Sequence, residues 1–234
     1  MPKAVAARPA GDDQEATRIR VWRAAVELFA AKGFHGTGIR ELADAAGLSS
    51  ATLYHYMGSK DALLFAIMRS SLERLSEAAE RVAVRAASPA EWIAGLVHVH
   101  VLSHALHPSE TMVVDHELRA LGDEHRAAAV ELRDRYEGHW REAIDAGRAA
   151  GVFTAGQPTV VRLALLEMCS AVAGWYSPDG RLGLDEIAAE HARIALSALG
   201  CDPGVQAADF VTDLAQAREL VAEIWQLRLP AGRH

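Results

Sequence analysis

The sequence predicts an all-α protein, and three observations carry that prediction. Ala, Leu, Arg and Glu dominate the chain, residues that lose little freedom in a helix. Apolar residues recur every three or four positions from Ala16 onward, with Gly and Pro as punctuation. No stretch alternates apolar and polar residues as a half-buried strand does. Half of the 234 residues are hydrophobic, which is enough for a buried core.

The elements follow in order. Residues 1–15 are small, polar and broken by Pro9 and Gly11, and read as a disordered arm. A first helix spans 16–32, with Ile19, Trp22, Ala25, Val26 and Phe29 on one stripe and Gly33 as its stop. Thr37 is placed to cap a short helix over 38–46, whose inner side carries Ile39, Leu42 and Ala43. Gly47-Leu48 breaks the chain, and Ser49 or Ser50 caps a second short helix ending at Tyr56. After Gly58, Ser59 caps a long helix over 60–87, with Leu63, Leu64, Ile67, Leu72 and Leu75 facing inward. Ser88-Pro89 opens the remainder, since Pro suits a first helical turn. Further helices are expected over 90–106, 109–121, 123–150, 157–176, 184–199 and 206–228.

The formal net charge is −7, but it is unevenly distributed. Residues 17–61 hold six cations (Arg18, Arg20, Arg23, Lys32, Arg40, Lys60) against four anions (Glu27, Glu41, Asp44, Asp61). A mildly basic head thus precedes an acidic body, which permits nucleic-acid binding at one end. The two short helices joined by Gly47-Leu48 form a helix-turn-helix, where the glycine frees the backbone to set one helix across the other. Leu42, Ala43, Leu48 and Leu53 make the apolar knot between them. Ser50, Ala51 and Thr52 then project from the second helix, short enough to let it lie deep in a major groove. Tyr54, Tyr56, Thr37 and Lys60 flank it with hydroxyls and an ammonium suited to phosphate oxygens.

The segments Ala24-Ala25-Val26-Glu27-Leu28-Phe29-Ala30-Ala31-Lys32-Gly33-Phe34, Gly36-Thr37-Gly38-Ile39-Arg40-Glu41-Leu42-Ala43, Ala46-Gly47-Leu48-Ser49 and Thr52-Leu53-Tyr54-His55-Tyr56-Met57-Gly58-Ser59-Lys60-Asp61-Ala62-Leu63 resemble the DNA-binding domain of the TetR family. The resemblance covers about residues 17–64. It implies an N-terminal three-helix DNA-binding domain over 16–64 and a larger helical ligand-binding and dimerisation domain over 65–234. It implies that Tyr54 and Lys60 contact phosphates, with Thr37 alongside. Arg40, Ser50, Ala51, Thr52, His55 and Tyr56 occupy family positions that touch bases or nearby phosphates. Two departures stand out: Met57, where the family usually has Phe, and Gly38, often a hydroxyl residue in relatives. The implied partner is a palindromic double-stranded DNA operator bound by a homodimer, because one short helix reads too few bases alone. The family's dimer bundle maps to about 157–176 and 184–199, whose apolar faces are Val161, Leu165, Met168, Val172 and Trp175 on one and Ile187, Ile194 and Leu196 on the other.

Within the body, Arg135-Tyr136-Glu137, Trp140-Arg141, Gly147, Gly151-Val152-Phe153, Gly174-Trp175-Tyr176-Ser177-Pro178-Asp179-Gly180-Arg181-Leu182 and Glu186-Ile187-Ala188 resemble a subgroup of repressors of lipid-catabolism genes. That resemblance implies an acyl-coenzyme A thioester as inducer, with Met112, Tyr136, Trp140, Met168 and Trp175 lining an apolar tunnel and Arg141 or Arg181 meeting phosphates or carboxylates. His104, one of a cluster with His98, His100 and His107, is a candidate for a ligand carbonyl. The 100/104 pair has the spacing of a helical metal site, but no Cys pair or His-Glu-x-x-His accompanies it, so no metal and no cofactor is expected. Two other readings stay open: a repressor of an efflux pump answering to a hydrophobic drug-like ligand, and a ligand-independent architectural DNA binder. An enzyme is not expected, since no nucleophile elbow, phosphate loop or dinucleotide fingerprint is present. Cys169 and Cys201 read as small apolar residues, no run of about 18 apolar residues marks a membrane span, and the reading expects a cytoplasmic protein.

Overall fold

The computed structural model describes residues 10–154, 156–202, 204 and 211–225, and among them every regular element is helical. The order is α1 (Ala10–Gly36), α2 (Ile39–Ala46), α3 (Ser50–Met57), α4 (Lys60–Arg85), α5 (Pro89–Leu106), α6 (Pro108–His116), a 3₁₀ turn (Leu118–Ala120), α7 (Asp123–Ala149), α8 (Pro158–Ser170), α9 (Val172–Trp175), α10 (Leu184–Ala198) and α11 (Val211–Ile224). The chain divides into two units. One takes the chain up to Arg69 together with Met112–Ala129; the other takes Ser70–Thr111 and the chain from Val130 onward.

In the first unit, α1 begins at Ala10, so residues 10–15 of the segment expected to be an arm are helical. Residues 1–9 lie outside the described residues. Gly33, at φ 74° and ψ 162°, interrupts the helix where a stop is expected, although helical turns resume for three more residues. The inward stripe is Val21, Ala25, Val26 and Phe29. Ile19, expected on that stripe, is 43% exposed. Counting back from Phe29 in fours reaches Ala25 and Val21, and Ile19 sits about 200° around the helix from Val21.

The second unit is built around α5, which is buried on every side from Ile93 to Ala105. Helices α8, α9, α10 and α11 all pack on it. An all-round apolar helix is a core helix, and its neighbours supply the amphipathic faces. Leu165, Val172, Ile187 and Leu196 belong to this core, so half of the faces expected to meet a second subunit are covered within the chain. Helix breaks divide the expected 157–176 and 109–121 elements, at Ala171 and at Glu117. The expected 206–228 helix is described over Val211–Ile224, where it packs on α5; residues 206–210 and 226–228 lie outside the described residues. Arg74 joins three elements here: it pairs with Glu110, and its guanidinium lies 5.3 Å from the Trp225 ring, on which His107 also stacks.

Candidate functional site

The helix-turn-helix is set by its turn. Gly47 adopts the left-handed conformation (φ 68°, ψ 39°), and the N–H groups of Gly47 and Leu48 donate to Asp44 O and Ala43 O, closing α2. Leu42, Ala43, Leu53 and Met57 are buried between the helices, so Met57 fills the core in place of an aromatic ring. Ser49 caps α3 by accepting from the Thr52 N–H at 3.1 Å, and its hydroxyl also meets that of Thr52 at 2.8 Å. With Leu53 and Met57 turned inward, Ala51, Thr52, Tyr54 and His55 face solvent, Ser50 and Tyr56 are half-buried, and Arg40 of α2 is exposed.

Two residues expected at phosphates make hydrogen bonds within the unit. Thr37 is 2% exposed, and its hydroxyl donates to Gly33 O at 2.9 Å and Leu28 O at 3.2 Å. It does not cap α2: Gly38 occupies the cap position in an extended conformation and offers no side chain. Lys60 sends its ammonium to Phe34 O at 2.6 Å and Thr37 O at 2.8 Å, over the Phe34 ring. Gly33 breaks the helical ladder at the end of α1; the Thr37 hydroxyl and the Lys60 ammonium serve carbonyls at that corner, where Phe34 O also accepts from the Thr37 N–H at 3.3 Å. Sequence spacing could not show this, since the carbonyls they serve belong to the backbone.

The same unit holds a contact the sequence reading missed. Asp61, one residue after Lys60, accepts from the Gly122 N–H at 2.8 Å through Oδ1 and from His125 through Oδ2. The His125 ring stacks on Phe65 at 4.6 Å. Burial pushes the Asp61 carboxyl up, but the Gly122 N–H and His125 together hold it below the ordinary value. The start of α7 is thereby fastened to the first turn of α4.

In the second unit, a buried polar chain joins three helices. His100 Nδ1 lies 2.7 Å from the Tyr136 hydroxyl, and His100 Nε2 lies 3.0 Å from Ser170 Oγ. His104 stacks on His100 at 3.8 Å, and Trp140 meets it edge-on. Burial drives His100 well below the ordinary imidazole range and His98 and His104 to about 4, so the rings are neutral. The Trp140 N–H has no partner in hydrogen-bond geometry, yet it lies close enough to Tyr136 to favour that hydroxyl's ionised form against burial, which dominates and raises it. A neutral imidazole donates through one ring nitrogen and accepts through the other, so His100 links the Tyr136 and Ser170 hydroxyls into one chain. His98 is buried with both ring nitrogens unpartnered.

Of the candidate ligand residues, His104, Tyr136 and Trp140 therefore come together around His100, with Met168 two residues before Ser170 on α8. Met112 falls in the first unit and is 36% exposed there. Trp175 is 53% exposed and stacks on His191. Helical spacing cannot distinguish a tunnel wall from a surface ring. Among the described residues, no group of three His, Cys, Asp or Glu is arranged to hold a metal, and no helix is long and apolar enough to cross a membrane.

A helix-turn-helix on a small helical unit, joined to a larger helical unit with a buried polar centre, is the plan of a one-component transcription regulator. Residues 22–67 match the family described as bacterial regulatory proteins, tetR family, and residues 86–199 match the tetracyclin repressor-like C-terminal domain. The HTH-type transcriptional repressor KstR2 of Rhodococcus jostii is 28% identical over 196 residues, 82% of this chain and 96% of its own. Among solved structures, the TetR family regulator PfmR of Thermus thermophilus is 30% identical with a TM-score of 0.69, covering 77% of this chain and 98% of its own. AibR in complex with isovaleryl coenzyme A and operator DNA is 27% identical with a TM-score of 0.69, covering 76% and 97%. The chain belongs to the TetR family of helix-turn-helix transcriptional repressors, proteins that bind DNA rather than catalyse reactions.

Proposed function

We propose that this protein represses transcription by binding a palindromic double-stranded DNA operator as a homodimer, and that an acyl-coenzyme A thioester releases it. The observation that carries the DNA half is the solvent-facing row Ala51, Thr52, Tyr54 and His55 on a helix whose other side is locked by Leu53 and Met57. Ser50, Ala51 and Thr52 read base edges; Arg40, Tyr54, His55 and Tyr56 contact bases or adjacent phosphates. Lys60 meets a phosphate, with Thr37 alongside, and both also position the corner that presents α2 and α3.

Homodimerisation is supported by the apolar side chains left outside the core on the late helices: Val160 and Leu163 on α8, Trp175 on α9, and Ile194 on α10. The thioester reading is supported by AibR, solved with isovaleryl coenzyme A and operator DNA, and by the Ser170 hydroxyl, which meets a ligand carbonyl at the half-buried end of the His100 and Tyr136 chain. A ligand that favours the form unable to bind DNA shifts the population and releases the operator.

A gel shift against DNA upstream of its own gene, with acyl-coenzyme A titrated in, tests both halves. Salt-dependent binding that the thioester reverses is the expected result. Absence of binding there and at neighbouring promoters overturns the DNA half, and binding unmoved by any acyl-coenzyme A overturns the inducer.

A further inference from the structure

A cleft of about 210 Å³ opens between the end of α7 and the start of α8, lined by Arg141, Ile144, Asp145, Pro158, Thr159 and Arg162. Three features suit it to a phosphorylated group. Two guanidiniums line it, and Arg162 Nε is buried with no hydrogen-bond partner while its Nη2 sits 3.6 Å from Glu137. Helix α8 begins there without a side-chain cap from Gln157, and among the described residues the first α8 N–H returned to the chain is that of Val161, to Gln157 O, so the amides of the first turn precede the helical ladder. A third cation, Arg148, reaches Gly156 O across the same α7–α8 link, so Arg141, Arg148 and Arg162 outnumber Asp145 and Glu137. Guanidinium forks and unpaired helical amides are the donors that phosphate oxygens take.

The size limits the occupant. Pockets that enclose a whole drug-sized ligand run to roughly 300–1,000 Å³, so this cleft holds one end of a molecule. Arg162 and Ser170 lie on the same helix eight residues apart, about 12 Å along its axis. We propose that the cleft binds phosphate groups of the effector's carrier, Arg141 and Arg162 being their charged partners, while the acyl carbonyl is met at Ser170. This rests on the thioester reading and adds to it where the phosphorylated end is held.

Calorimetric titration of the full chain with isovaleryl coenzyme A, free coenzyme A and inorganic pyrophosphate tests it, using wild type, Arg141→Gln, Arg162→Gln and Ser170→Ala. Free coenzyme A is expected to bind wild type, with affinity falling as salt rises. Each arginine substitution is expected to weaken both coenzyme A ligands about tenfold, and Ser170→Ala to weaken only the acylated one. Arg141 is exposed, so its variant reports on binding without a folding defect. Wild-type affinity in both arginine variants overturns the cleft and leaves the thioester reading standing. No binding of either coenzyme A ligand to wild type overturns the thioester reading itself. Arginine-dependent pyrophosphate binding without coenzyme A binding assigns the phosphate to a different source and overturns the carrier.

Discussion

The Asp61 carboxylate holds His125 through one oxygen and the N–H of Gly122 through the other, tying the first turn of α4 to the first turn of α7 within the helix-turn-helix unit. Asp61→Asn keeps the shape and removes the charge, and is expected to cost about 1 kcal/mol, since hydrogen bonds to charged groups are worth roughly 1.5–3 and this one is a third exposed. The folded carboxyl lies below its unfolded value, so its contribution is complete above about pH 4 and is lost as pH falls through the folded value. Thermal melts of wild type and Asp61→Asn between pH 3 and 7 check this: the difference between them should close at the acid end.

Lys60 separates positioning from phosphate contact. Lys60→Met takes the ammonium from Thr37 O and from Phe34 O, which keeps only the long Thr37 N–H bond, and is expected to cost about 1–2 kcal/mol of stability even without DNA. Tyr54→Ala should leave the melt nearly unchanged and weaken all DNA sequences alike, whereas Thr52→Val should shift base preference. A Lys60→Met melt that matches wild type would return Lys60 to the role of a phosphate contact alone.

Gly38 is a cap position without a cap. Its backbone is extended and nothing lies within 4 Å of where a Cβ would sit. Gly38→Ser is expected to stabilise the protein by a few tenths of a kcal/mol, the usual gap between Gly and Ser at such a site. Chemical denaturation with an unchanged slope and a higher midpoint is the confirming result.

The buried histidines make the second unit acid-sensitive. His98, His104 and His107 titrate at about 4 when folded, chiefly because of burial, and near 6.5 when unfolded. Between those values the unfolded chain binds protons that the folded chain refuses, so stability falls as pH falls from about 6.5 to about 4. Each ring contributes up to about 1.4 kcal/mol per pH unit in that window. His98→Phe should flatten the pH dependence measured by denaturation, and an unaltered slope would show that His98 takes a proton without cost.

Gly147 faces the Phe153 ring, and a Cβ there would fall 2.0 Å from a ring carbon. Phe153 is buried in the core, so it has little room to retreat. Gly147→Ala is expected to destabilise the protein by about 1–3 kcal/mol through overpacking, read as a lower melting temperature.

Much of the molecule is legible along the chain because its signals are local. Gly47, Ser49, Gly58, Ser59 and Ser88-Pro89 act within a turn of where they sit, so the end of α2, both ends of α3 and the starts of α4 and α5 follow from residue types. The inward side of α3 is equally local: once Leu53 and Met57 are buried, helical geometry exposes Thr52, Tyr54 and His55. By itself, then, the sequence determined an all-helical chain, its helix-turn-helix and the helix face turned to solvent.

Only the tertiary structure decided which polar groups have partners. Lys60 and Thr37 look like free hydrogen-bonding side chains until the carbonyls of the α1 corner are in place. His100, Tyr136 and Ser170 are far apart in sequence and meet because α5, α7 and α8 pack together. Leu165 and Val172 read like a subunit interface, but they fill their own core and leave Val160 and Leu163 outside. Helical periodicity reports that a face is buried, whereas the identity of what buries it depends on long-range packing that no local pattern encodes.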